Sequence, residues 1–188
     1  MNRALAPMAI GLTAVATPAL AHTGAAAAGS FMAGLGHPLG GPDHLLAMVA
    51  VGAWAALQGG RAAWLWPLVF VATMAAGSAL GFAGIGLPLV EPGILASVVV
   101  LGLLVATAAR LPVAAGAAIV GLFALAHGHA HGTEAPAAGD ALGYGLGFAL
   151  ATAGLIAAGA GVALAARGTK WRTAVRAAGA ALALGAGA

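Results

Sequence analysis

Two short stretches of this 188-residue chain hold most of the side chains able to do chemistry. The first is His37-Pro38-Leu39-Gly40-Gly41-Pro42-Asp43-His44. Its two imidazoles and one carboxylate are donor types that suit borderline divalent metals such as nickel, cobalt or zinc. The second is Ala126-His127-Gly128-His129-Ala130-His131-Gly132-Thr133-Glu134. On a helix continued through this stretch, His127, His131 and Glu134 fall at i, i+4 and i+7 on one face, and His129 turns away. A short His-rich tract by itself is also what loose surface metal binding looks like. Glu91, just before Pro92, is a third candidate, equally suited to stabilising a helix N-terminus through the dipole. Met48 shares a helix face with His44 and reads as packing.

The residue inventory excludes several chemistries. With no cysteine there is no disulfide, iron–sulfur cluster or thiolate zinc site. Neither H-E-x-x-H nor G-x-x-x-x-G-K-[ST] occurs, so zincin proteolysis and P-loop nucleotide hydrolysis lack their residues. No serine or cysteine nucleophile adjoins the two clusters in sequence. A net charge of +3 makes no nucleic-acid footprint.

The elements that must position these groups follow from composition. The chain is 62% hydrophobic and 6% charged, against roughly 25% charged residues in soluble domains. That composition requires a lipid bilayer around it. Residues 1–21 have the layout of a secretory signal peptide, with Arg3, an apolar run, Pro18 and the small-residue pattern Ala19-Leu20-Ala21. Cleavage there leaves His22 as the mature N-terminus, which reads as an incidental residue of the cleavage site, with chelation through its amine and ring as the alternative. The alternative is an uncleaved first helix, which makes seven spans and reverses the sidedness. Residues 22–188 then form a single all-α transmembrane domain. Cutting at charges, prolines and polar clusters, and allowing roughly 20 residues per span, gives six spans at 43–58, 63–84, 91–109, 112–130, 140–165 and 172–188. A half-helix over 24–36 precedes the first. It is expected to end near His37, because two prolines and two glycines break the stretch that follows. Asp43 is then placed to cap the new helix. Gly77/Gly81 and Gly143/Gly147 have the small-xxx-small spacing of close helix packing.

Six alternating spans put Arg61, Arg110, Arg167, Lys170, Arg172 and Arg176 on the cytoplasmic side, as the positive-inside rule requires. Trp54, Trp64, Trp66 and Trp171 gather at the same face, where indole rings favour the headgroup level. Asp43, Glu91, Glu134, Asp140 and all six histidines fall on the periplasmic side. Ionisable groups within spans are expensive and point to function.

The spacing H-x5-D-H at His37, Asp43 and His44, together with H-G-x-A-H-G-x-E from His127 to Glu134, resembles the HupE/UreJ group of small bacterial metal permeases, associated with nickel supply to hydrogenase and urease. An aromatic commonly precedes the histidine of that family's second motif; here Ala126 does, with Phe123 one turn earlier. The resemblance implies uptake of nickel, with cobalt as a sibling substrate, across the bacterial inner membrane without ATP hydrolysis. It adds Glu91 to the metal-handling set His37, Asp43, His44, His127, His131 and Glu134. It also implies a transporter rather than an enzyme, with no prosthetic group and a transiently bound Ni2+ or Co2+. A membrane-embedded metalloenzyme and a metal-sensing accessory subunit stand as the other readings of the same donors.

Overall fold

The computed structural model describes residues 23–135, 140–166 and 169–185. The leader at 1–21 and His22 lie outside the described residues. Within them the chain forms seven helices and no strand: α1 Thr23–Gly40, α2 Pro42–Gln58, α3 Ala62–Phe82, α4 Val90–Thr107, α5 Val113–Glu134, α6 Ala141–Ala165 and α7 Thr169–Gly185. Helices are what the apolar runs must form, because lipid offers no partner to a backbone N–H or C=O. Their ends coincide with residues that break the repeat. Gly59 and Gly60 turn α2 into α3 with φ of +74° and +56°, a region open to glycine at little cost. Pro112 stands just before α5.

Four helices, α3 to α6, are long and apolar enough to cross a bilayer. The chain is therefore a multi-pass membrane protein. The other two expected spans, α2 and α7, are 17 residues each, near the lower limit for crossing.

The two boundaries beside the donor residues differ from the sequence reading. α1 runs three residues past His37, through Pro38, to Gly40. Only Gly41 is extended, with φ −105° and ψ 114°, so the break is one residue wide. The fourth apolar run continues as helix to Glu134, as the i, i+4, i+7 face requires.

Bilayer interiors give no hydrophobic drive for helix association, so contact depends on close approach. Glycine provides it here. A Cβ on Gly128 or Gly132 of α5 would collide with the α3 backbone at Met74 and Ser78, and one on Gly77 or Gly81 of α3 would meet α5 in return. The Ser78 hydroxyl donates to the Gly128 carbonyl at 2.9 Å across this seam. α1 and α2 lie in succession along α6. Gly34 of α1 rests on the backbone of Tyr144 and Phe148, and Gly52 of α2 on that of Ile156 and Ala160. They are two halves of one interrupted helix, with Gly41 at the joint. α7 seats against α4 where Gly102 faces Gly179, and Arg176 Nε donates to the Ala106 carbonyl at 2.6 Å.

The end of the bundle away from the histidines is tied shut by side chains. Trp54 Nε1 donates to Ala109 O, Gln58 Nε2 to Leu111 O and Trp66 Nε1 to Val113 O, at 2.9, 2.8 and 2.9 Å. The two indoles are fully buried, with ring centroids 4.2 Å apart. Trp54 and Trp66 therefore do not sit in a headgroup belt; their N–H groups find backbone carbonyls on the α4–α5 connection and at the first residue of α5. Trp64 is exposed and free to take the interfacial place.

Candidate metal-binding site

The break at Gly41 and the last two turns of α5 converge. His37 comes from the end of α1, Asp43 and His44 from the first turn of α2, and His127, His131 and Glu134 from α5. His37 Nε2 lies 3.1 Å from Glu134 Oε2. One ligand atom each from His37, His131 and Glu134 fits within a 4.8 Å span, so a single cation can touch all three. The imidazoles continue inward from there. Ring centroids are 4.7 Å apart for His37–His131, 4.1 Å for His131–His44 and 4.5 Å for His44–His127. The outer donors are open and the inner ones covered: the Glu134 and His37 side chains are 60% and 30% exposed, His44 12%, His131 2% and His127 not at all.

Phe148 packs on His131 at a 4.2 Å centroid distance, and Tyr144 stands 5.8 Å from His37. These α6 rings wall the cluster. A cavity of about 330 Å³, lined by Ser78, Phe82, His131, Gly132, Tyr144 and Phe148 among others, opens beside it.

Asp43 does not cap α2. Gly41 holds the N-cap position, and no side chain bonds there. Asp43 Oδ1 instead accepts from the His44 backbone N–H and lies 2.9 Å from His44 Nδ1. A carboxylate only accepts, so Nδ1 carries the proton and His44 Nε2 keeps its lone pair. On His127 the ring is held from the other side, with Nε2 2.7 Å from Ser97 Oγ. Ser97, fully buried in α4, also lies 2.6 Å from the Ile94 carbonyl. The carbonyl can take only a donor, so the one hydroxyl proton goes to Ile94 and His127 Nε2 donates to Ser97.

Adjacency in sequence does not show this neighbour, since the fold brings Ser97 to His127 across 30 residues. The polarity is opposite to that of a nucleophile and its base, where the hydroxyl donates to the imidazole. The sequence signal for Ser97 is a lone hydroxyl in the apolar run Ile94-Leu95-Ala96-Ser97-Val98-Val99.

Four ring nitrogens are buried without a hydrogen-bond partner among the described residues: His44 Nε2, His127 Nδ1 and both nitrogens of His131. Each such atom costs about 1–3 kcal/mol. A structural core has cheaper ways to fill this volume, so the donor set fits a cation that takes up the lone pair each neutral ring leaves free. Two sequence candidates stand apart from the cluster. His129 faces away as its spacing predicts, its Nε2 2.8 Å from the Ile85 carbonyl in the α3–α4 connection. Glu91 is exposed on the first turn of α4, outside the gathered group. Met48 is fully buried in the core, the packing role that the sequence assigns it.

Fold and site together define a polytopic helical membrane protein with a histidine–carboxylate cluster at a broken helix. The chain belongs to the HupE / UreJ protein family, whose match covers residues 10–188. It is 47% identical over 175 residues to Protein HupE of Rhizobium leguminosarum bv. viciae, covering 92% of this chain and 91% of that one. No solved structure matches it.

Proposed function

We propose that the chain carries a divalent transition-metal ion, nickel or cobalt, inward across the bacterial inner membrane to supply enzymes such as hydrogenase or urease. The observation that carries this reading is the line of donors from exposed Glu134 and half-buried His37 through His131 and His44 to fully buried His127. Oxygen and nitrogen ligands at the mouth replace part of the ion's water shell, and the imidazoles deeper in receive it. Broken helices that present ligands inside a bilayer are a recurring way to hold a transported ion. In this proposal six spans alternate after a cleaved leader, the clusters face the periplasm, and Glu91 gathers cations at the same face.

An inside-negative potential favours a doubly charged ion by about 4.6 kcal/mol per 100 mV, twice the single-charge value. That suffices for accumulation without ATP. The serine nearest the imidazoles has its proton committed to a carbonyl, which weighs against nucleophilic catalysis by that hydroxyl. Purified protein in liposomes is expected to move Ni2+ or Co2+ inward at a rate that rises as the interior becomes more negative. Stoichiometric metal binding with no potential-dependent flux overturns the transport reading in favour of a catalytic or sensing site.

A further inference from the structure

We propose that Ser97 is a positioning residue for the buried end of the metal path: its hydroxyl oxygen holds His127 in the tautomer that leaves Nδ1 free to ligate. The proposal rests on the transport reading for its purpose, but its chemistry stands on geometry. Neutral imidazole has one protonated nitrogen, and the hydrogen bond made by that nitrogen decides which atom can bind a metal. Ser97 Oγ has its own proton engaged at Ile94 O, 2.6 Å away, and so offers His127 Nε2 only lone pairs, at 2.7 Å. The proton is thereby fixed on Nε2. His127 Nδ1 is buried with no hydrogen-bond partner among the described residues, and the His127 ring stands edge-on to His44, with centroids 4.5 Å apart.

Asp43 arranges His44 in the complementary sense, engaging Nδ1 and leaving Nε2 as the unpartnered atom. Two neighbouring rings thus each have one nitrogen occupied by an orienting group from the protein and the other left as a buried lone pair. Outer partners of this kind are the usual means of setting ligand direction and basicity at metal sites. Ser97 is well suited to the task. It is fully buried in α4 and is joined to its own helix through the Ile94 carbonyl, so the acceptor it presents is fixed in place.

The test uses full-length protein in lipid nanodiscs, labelled with 15N on histidine side chains and free of metal. The His127 signals are assigned by their loss in His127→Gln. Wild type is expected to show a protonated Nε2 and unprotonated Nδ1. Ser97→Ala is expected to lose this single pattern and to bind Ni2+ about 10–100-fold more weakly, whereas Ser97→Thr, which keeps the hydroxyl, restores both. A wild-type His127 protonated on Nδ1 overturns the proposal, even if Ser97→Ala fails to fold. So does a folded Ser97→Ala with unchanged pattern and affinity, or a folded Ser97→Thr that behaves like Ala. If wild type shows the expected tautomer yet moves no Ni2+ into liposomes, the transport reading fails and the positioning role stands.

Discussion

His37 and Glu134 are 97 residues apart in the chain, yet Nε2 and Oε2 meet at 3.1 Å. The contact joins the last turn of α1 to the last turn of α5 and bridges the mouth of the imidazole line. Both partners are ligand types, so a cation entering between them exchanges one hydrogen bond for two coordinate bonds. An exposed polar contact of this kind is worth only about 0–1 kcal/mol, and separating it is a small obstacle to metal entry.

Alanine at His37, His131 or Glu134 is therefore expected to abolish Ni2+ or Co2+ accumulation by cells at limiting external metal while protein levels stay normal. His131 contributes most, because both its nitrogens are buried without partners and its ring lies between those of His37 and His44. Uptake by His131→Ala equal to wild type contradicts the site.

Asp43 offers a graded test. Asn at this position can still accept from the His44 backbone N–H and from Nδ1–H, but it removes the charge. Asp43→Asn is expected to slow flux in liposomes while keeping measurable Ni2+ binding, and Asp43→Ala to lose both. Identical behaviour of the two variants means that the carboxylate acts through charge alone.

His129→Ala is expected to keep uptake per folded molecule. It removes the bond to the Ile85 carbonyl, so the protein in detergent should melt earlier, consistent with a loss of about 0.5–1.5 kcal/mol. An essential His129 with a dispensable His131 reverses the assignment of faces on α5.

The α3–α5 seam separates two kinds of glycine. Gly128→Ala places a methyl group into the Met74 backbone and is expected to prevent accumulation of folded protein, whereas Gly154→Ala meets nothing within 4 Å and should be neutral. Membrane-fraction yield and thermal melting read the difference.

Intact-mass measurement on membrane-purified protein is expected to show a chain beginning at His22. A mass that includes residues 1–21 requires a topology with one more span.

Much of this arrangement is legible in the sequence because it is written in periodicity. The spacing of His127, His131 and Glu134 fixes a common face once α5 is helical, and the prolines and glycines around His37 announce an interruption. The exact break is less visible, since Pro38 can be carried inside a helix end and only Gly41 adopts an extended backbone. Contacts between distant segments leave the weakest trace. Nothing about Ser97 in its own neighbourhood says that it meets His127, and the placement of Trp54 and Trp66 depends on carbonyls some 50 residues away. Tryptophan near a helix end suggests a lipid interface by default; here the indoles serve the backbone instead.

That indole pair has a practical consequence. The chain has four tryptophans, and two of them, Trp54 and Trp66, pack together at an interplanar angle of 36° at the far end of the bundle from the histidines. With Trp64 and Trp171 replaced by Phe, intrinsic fluorescence reports on the closed seam while metal is added at the opposite mouth. Emission that shifts on Ni2+ addition signals that loading and unlocking are coupled, and emission that holds steady until a voltage is applied assigns the unlocking to the electric field.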